Sequence, residues 1–355
     1  MKKIALVITW RYYPVHCDGG SLCMFEIVRW FRGEGFPVEI FAFVGEPPPP
    51  GSGEPYLDTV ELRIGIRPKI VVTDSLAPGP VAKVLEAYGP DYVLTCDGDF
   101  VALAAAAALS IPGLHLFNSP DNIDLYEKNA VMKPLVRKRD VCVLSGFLGE
   151  KVRRVFGIDA MVWPPFFRKD LQRPDPRRPH TPLALGFYSA GRFKGDDIVR
   201  SLAPLAPEAR ILIVGGDYSY LRSPHPANVV CLGEVADMRG FYRDIDLLLV
   251  PSVWGEAFAR VILEAAFEGV PALANRVGGI PEAIGDSGVL IDIDLVSYDP
   301  GDVAATYAEQ VHRIIRDPAL FSELSRKALE RGDRYLQDQR RLQESFLGSR
   351  FPAPA

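Results

Sequence analysis

No GxGxxG follows the first apolar run, and no GxxxxGK[ST] occurs anywhere in the chain. The first absence argues against a dinucleotide oxidoreductase and the second against a P-loop NTPase, since each uses those glycines to bring backbone amides onto phosphate. HExxH is missing as well, and His and Cys do not cluster. The five cysteines, Cys17, Cys23, Cys96, Cys142 and Cys231, are scattered without a CxxC pair. That points to reduced thiols in a cytoplasm and away from a disulfide framework or a zinc site. Charge is not strongly biased: a net charge of -5 gives no reason to expect a nucleic-acid partner. Long apolar runs are also lacking. The opening MKKIALVITWRYYP meets Arg11 almost at once and has no small-residue cleavage site, and the Ala-rich Val101 to Leu109 is too short for a bilayer. Gly285-Asp286-Ser287-Gly288 superficially looks like a trypsin-type nucleophile segment, but those enzymes are all-β and this chain alternates α and β.

What is present is an ordinary globular composition, 48% hydrophobic and 24% charged, over 355 residues, a length suited to two domains. Short apolar runs alternate with helical patterns, which predicts parallel sheets covered on both faces. In the first half the strand candidates are Ile4–Thr9, Val38–Val44, Ile70–Thr73, Tyr92–Thr95, Leu114–Phe117 and Val141–Leu144. Helices are expected near Ser21–Phe31, Pro80–Tyr88, Phe100–Leu109 and Phe147–Phe156. The proline-rich stretch from Gly45 to Pro55 reads as a surface loop. Arg168 to Pro182, charged and proline-rich without apolar periodicity, reads as a linker. A second alternation follows, with strands at Leu183–Ser189, Ile211–Val214, Val229–Leu232, Leu247–Val250, Pro271–Ala274 and Gly288–Ile291. A helical tail runs from Val303 to Leu347, with breaks expected near Pro318 and Gly332. The expected organisation is a domain over 1–167, a linker over 168–182, a second domain over 183–334 and a closing helix over 335–355.

The stretch from Leu247 to Asp292 carries the most chemistry. The buried strand Leu247–Val250 ends at Pro251. A loop with Gly255 and Glu256 follows, then a helical register from Phe258 to the stop at Gly269. In an open parallel sheet, loops at the carboxyl ends of strands bind ligands. Glu256 is expected where loop becomes helix, among amides that favour anions. Glu264 interrupts the apolar run Val261 to Phe267, and a buried carboxylate needs a partner. An ion pair with Arg260 one turn earlier is one explanation. A ligand offering two adjacent hydroxyls is the other, because both carboxylate oxygens can accept.

Pro251-Ser252, then Glu256 and Glu264 in Glu-x7-Glu spacing, then Gly269-Val270-Pro271, then Gly278-Gly279-Ile280-Pro281-Glu282 together resemble the retaining glycosyltransferases of family four. Weaker likenesses extend over most of the chain: Gly19-Gly20 with Gly35-Phe36-Pro37-Val38, Ser145-Gly146-Phe147, the basic loop Ala190 to Gly195, and Leu232 to Val235 leading to Asp246. The resemblance implies a GT-B fold, two Rossmann-like doubly wound α/β domains facing across a cleft, with the donor on the second domain and the acceptor on the first.

It further implies a nucleotide-diphosphate sugar as co-substrate, with no cofactor and no metal. Arg192 and Lys194 would neutralise the diphosphate with amides of Ala257, Phe258 and Ala259. Glu264 would bind the ribose diol and Glu256 the donor-sugar hydroxyls. Gly19, Gly20 and Gly215 join the donor-side set, and Asn118 stands where the family often has a histidine, with His115 three residues earlier either pointing into the sheet or reaching the ligand. The family's usual glycines after the first glutamate are Ala257 and Ala259 here, so a non-catalytic nucleotide-sugar-binding protein and a GT-B-like sugar-nucleotide epimerase stay open. Trp10, Tyr12 and Tyr13 offer aromatic faces to a sugar, glycolipid or small-molecule acceptor, or simply pack. Lys128, Lys133, Arg137, Lys138, Arg139, Lys151, Arg153 and Arg154 make a basic region, either a solvated surface or a contact with the inner face of an anionic membrane.

Overall fold

The computed structural model describes residues 2–9, 19–44, 68–73, 76–129, 131–167, 179–217, 226–235 and 237–352. Trp10, Tyr12, Tyr13, the loop from Gly45 to Pro55 and most of the 168–182 linker lie outside the described residues. The chain divides into two compact units. Unit 1 comprises Met1–Phe167 with Leu342–Ala355, and unit 2 comprises Arg168–Arg341.

Unit 1 is built on a parallel sheet of β1 (Ile4–Ile8), β2 (Val38–Val44), β3 (Lys69–Val72), β4 (Tyr92–Cys96), β5 (Gly113–Phe117), β6 (Asp140–Val143) and β7 (Met161–Val162). Its order is β3-β2-β1-β4-β5-β6-β7. The helices are α1 (Gly19–Gly33), α2 (Pro78–Tyr88), α3 (Phe100–Ala108), α4 (Pro120–Glu127), α5 (Met132–Val136) and α6 (Gly146–Phe156). Uninterrupted apolar strands follow from burial on both faces: all five residues of β1 are buried. The alanines of α3 serve close approach, and Ala102, Ala105 and Ala106 pack with Val7, Phe43 and Val93 in one core. Gly19 and Gly20, expected in the loop before the first helix, are its first two residues. Ser145 is the N-cap of α6, accepting from the Leu148 amide.

The carboxyl-terminal segment completes this unit. Phe346 lies 4.5 Å from Trp163 and 6.2 Å from Trp30 between ring centres, and Phe351 packs against Phe31, Phe36 and Tyr92. Arg350 binds both oxygens of Asp140 at 2.6–2.9 Å, and the Tyr92 hydroxyl donates to the same carboxylate at 2.7 Å.

Unit 2 repeats the plan with β8 (Ala184–Ala190), β9 (Arg210–Asp217), β10 (Val229–Gly233), β11 (Leu247–Val250), β12 (Ala272–Asn275) and β13 (Gly288–Ile291), in the order β10-β9-β8-β11-β12-β13. Its helices are α7 (Asp196–Leu202), α8 (Met238–Arg243), α9 (Arg260–Phe267), α10 (Ile280–Ile284), α11 (Pro300–Arg316) and the part of α12 (Pro318–Arg350) up to Arg341, the rest of α12 belonging to unit 1. One face of the sheet is covered by Ile198, Leu202, Tyr307 and Val311 from α7 and α11. On the other, Gly186 of β8 meets Ile245 and Phe241. The expected break at Gly332 is absent, for α12 runs through it. A Cβ there would sit 2.8 Å from Phe267 Cδ1, so this glycine lets two elements approach and does not end a helix.

Candidate functional site

In unit 2 the strand after β8 lies on one side of it and β11 lies on the other, so the topological switch point falls between β8 and β11. Ligands of doubly wound sheets bind outside the carboxyl ends of the strands at such a point. The loops leaving these two strands carry Arg192 and Lys194 on one side and Ser252 and Glu256 on the other.

The two loops are fastened together by backbone. The Val253 amide donates to the Phe193 carbonyl at 2.9 Å. Gly195, at φ +87°, rests against Pro251, where a Cβ would fall 2.1 Å from the carbonyl oxygen. Lys194 Nζ donates to Glu256 Oε1 at 2.5 Å and Ser252 Oγ donates to the same oxygen at 2.7 Å. Glu256 is buried, so these donors supply what water cannot. Ser252 is itself held from the core, its carbonyl accepting from Asn275 Nδ2 at 3.1 Å, while the buried Tyr307 hydroxyl donates to Asn275 Oδ1 at 3.1 Å. The Lys194 ammonium also lies 5.7 Å from the centres of both the Phe193 and Trp254 rings.

The glycine pair Gly278-Gly279 grips the other side of this loop. The Gly279 amide donates to the Glu256 carbonyl at 2.7 Å, and a Cβ on Gly278 would fall 2.2 Å from that same oxygen. The spacing of the Gly-Gly segment after Glu256 therefore has a mechanical reason. It clamps the backbone that carries the carboxylate.

Helix α9 begins at Arg260, two residues later than its apolar register predicts, because Ala259 takes φ +62°, ψ +66° as the N-cap residue. Glu256, Ala257 and Phe258 thus precede the helix, and the buried Phe258 ring lies 6.0 Å from that of Tyr335. Glu264 faces two donors, Arg260 Nε at 2.7 Å and the Tyr242 hydroxyl at 2.9 Å. The ion pair expected on structural grounds is formed, and Glu264 keeps 25% of its side-chain surface exposed. Burial and then the Glu264 charge hold the Tyr242 phenol far above its usual range, so it stays a donor.

Arg192 is exposed and is an electrostatic neighbour of Tyr298. Gly215, at φ +114°, packs against the Ser189 carbonyl, where a Cβ would fall 2.1 Å from the oxygen. Asp246 sits at the amino end of β11, fully buried, accepting from the Ala184 amide at 2.8 Å and from His180 Nδ1 at 2.8 Å. It ties the incoming chain to the sheet. In unit 1 the Asn118 backbone N–H donates to Asp97 Oδ1 at 2.9 Å. His115 is fully buried between Thr95 Oγ1 at 2.8 Å and the Tyr126 hydroxyl at 3.3 Å, and burial lowers its pKa to about 3. Of the basic region, Lys151 pairs with Asp124, Arg153 with Asp159, and Arg137 and Arg139 donate to backbone carbonyls. Among the described residues no helix is long and apolar enough to cross a membrane. In the sequence, Ser252 is marked only by the Pro-Ser dipeptide and nothing local marks Tyr242.

The class these features define is GT-B, two parallel-sheet α/β domains of the glycosyltransferase kind. Residues 187–317, which contain Lys194, Ser252, Glu256 and Glu264, match the family model for glycosyl transferases group 1. The chain is 25% identical to the sulfoquinovosyl transferase SQD2 of Arabidopsis thaliana, covering 87% of this chain and 64% of that protein. It is 36% identical over 108 residues to the D-inositol 3-phosphate glycosyltransferase of Streptomyces bingchenggensis, covering 30% of this chain and 21% of the relative. The chain thus spans less than two thirds of the length of these curated relatives. Among solved structures, Anabaena Alr3699/HepE in complex with UDP and glucose superposes with a TM-score of 0.76 at 18% identity, covering 98% of this chain and 99% of that one. The sucrose-phosphate synthase of Thermosynechococcus elongatus superposes at 0.70 and 18% identity, over 98% of this chain and 100% of its own.

Proposed function

We propose that this protein is a retaining glycosyltransferase that moves a sugar from a nucleotide-diphosphate donor to a hydroxyl acceptor without a metal ion. The observation that carries the reading is the meeting of Lys194 and Glu256 across the switch point of unit 2, inside the segment of group 1 type. A cation and a carboxylate on adjoining loops suit the two ends of a sugar diphosphate. Lys194 and Arg192 take the diphosphate, and Glu256 takes donor-sugar hydroxyls. Glu264, partly exposed and already oriented by Arg260 and Tyr242, takes the ribose diol.

In the reaction the bond between the anomeric carbon and the diphosphate oxygen breaks, and a bond to the acceptor oxygen forms on the same face. The acceptor proton passes to the leaving diphosphate, so no side-chain nucleophile is required. The main catalytic demand is then stabilisation of the leaving group, which preorganised cations and amides meet. Ala259 adopts left-handed angles of the kind a glycine takes freely, which supports a role for this loop's amides in holding the diphosphate despite the Cβ. The roles proposed for Gly19, Gly20, Gly215 and Asn118 rest on the family resemblance alone. UDP-sugars are the first donors to test, since UDP is what the Anabaena neighbour holds.

The test is donor binding and turnover by wild type and Glu264→Gln, with excess chelator throughout. The expected result is at least a tenfold weaker nucleotide-sugar affinity in the variant, chelator-resistant donor hydrolysis by wild type, and an anomer of unchanged configuration by NMR. An inverted product, or activity abolished by the chelator, would overturn the retaining or metal-free reading respectively.

A further inference from the structure

Strand β8 divides its side chains between two environments. Leu185 and Phe187 enter the core beneath α7 and α11. Gly186 faces the other way, so tightly that a Cβ would fall 2.3 Å from Ile245 Cδ1. Tyr188 is the next residue on that second face, two positions nearer the carboxyl end. There the cover runs out. Tyr188 is 40% exposed, although every other residue of β8 is buried or half-buried. Its surroundings are polar. Glu264, Glu234 and Tyr242 are its electrostatic neighbours, and partial burial, then Glu234, then Glu264 raise its phenol pKa. An aromatic ring left open at the end of the strand that borders the switch point contributes nothing to the core, but it offers a flat apolar face beside the carboxylate assigned to the ribose.

We propose that Tyr188 and Glu234 form the nucleobase subsite of the donor, the Tyr188 ring as a stacking face and the Glu234 carboxylate as acceptor for an imino N–H. The inference rests on the reading of Glu264 as the ribose carboxylate. The base is bonded to the ribose carbon next to the one bearing the 2′-hydroxyl, so a ring beside the diol-binding group is within reach of the base. Stacking on a tyrosine does not select among bases, since each has a π-face. Selection falls to Glu234, which when ionised can only accept. Uracil, thymine and guanine present an imino N–H on their pairing edge, whereas adenine presents an unprotonated nitrogen there. The subsite therefore favours UDP, TDP or GDP over ADP.

Calorimetric titration of UDP, GDP and ADP into wild type, Tyr188→Ala, Tyr188→Phe and Glu234→Gln tests this, with circular dichroism confirming that each variant is folded. Wild type should bind UDP or GDP more tightly than ADP. Tyr188→Ala should weaken all three by roughly tenfold, the order expected for loss of one base–aromatic stack, while Tyr188→Phe stays near wild type. Glu234→Gln should narrow the gap between the imino bases and ADP. Equal affinity of wild type and Tyr188→Ala, or tightest binding of ADP by wild type, overturns the subsite while leaving the nucleotide-sugar reading in place. Wild type that binds none of the three overturns that reading and the subsite with it.

Discussion

Lys194 Nζ and Glu256 Oε1 stand 2.5 Å apart across the loops that leave β8 and β11, and Ser252 donates to the same carboxylate oxygen. The pair is asymmetric: Glu256 is buried, while a quarter of the Lys194 side chain, 26%, remains exposed. Removing the lysine strands a buried charge, whereas removing both charges strands nothing. Lys194→Ala should therefore lower unfolding stability by about 1–3 kcal/mol, and Lys194→Ala with Glu256→Gln should recover part of that loss. Denaturant midpoints of the two variants check it, and a double variant less stable than the single would contradict the argument.

Ala259 holds φ +62° without being glycine. The left-handed region costs a Cβ-bearing residue roughly 1–2 kcal/mol, so Ala259→Gly should raise the melting temperature. Ala259→Val should lower it, because branching at Cβ adds to the same conflict. A fall in melting temperature for the glycine variant would show that the angle is not strained.

Two glycines of α12 should respond to alanine with opposite signs. At Gly348 a Cβ meets nothing within 4 Å, so Gly348→Ala should gain up to about 1 kcal/mol of helix propensity, less if the last turn frays. At Gly332 the same Cβ would press on Phe267 at 2.8 Å, and Gly332→Ala should destabilise despite that propensity. Thermal unfolding of both variants settles the contrast.

His115 is held neutral by burial, with the Arg139 charge adding to the effect, and its pKa falls from 6.5 to about 3. The unfolded chain takes up a proton near pH 6.5 that the folded one refuses until about pH 3. Stability from this group is thus complete above pH 6.5 and declines as pH falls toward 3, at up to about 1.4 kcal/mol per pH unit. His115→Gln should be less stable than wild type at pH 7 but lose less on acidification to pH 4. Parallel losses in the two proteins would mean that other groups carry the acid response.

The buried strands were legible because parallel strands covered on both faces must be apolar throughout, and Val38–Val44 and Leu247–Val250 have the predicted bounds. What escaped was either short or nonlocal. Helices α4, α5 and α8 have too few turns to show a periodicity, and β7 has two residues. The start of α9 escaped because an alanine gives no sign of a positive φ, where a glycine would have invited the reading. Gly332 misleads for the converse reason, since it has the look of a breaker and its task is to admit Phe267. At the site, Glu264 stands out as a carboxylate within an apolar run and Glu256 as one placed where loop becomes helix. Arg260, the local partner of Glu264, is legible from its place one turn earlier, whereas the bonds from Lys194 to Glu256 and from Tyr242 to Glu264 are not, since they span 62 and 22 residues.

Unit 1 is assembled from two segments far apart in sequence, with Phe346 over Trp30 and Trp163, Arg350 on Asp140, and Phe351 over Phe31, Phe36 and Tyr92. Synthesis proceeds from the amino end and domains tend to fold as they emerge. The residues that finish the first unit are therefore translated after those of the second. Until they leave the ribosome, Trp30 and Trp163 keep an uncovered apolar face, and the nascent protein carries an unfinished amino-terminal half through the whole period in which unit 2 is made.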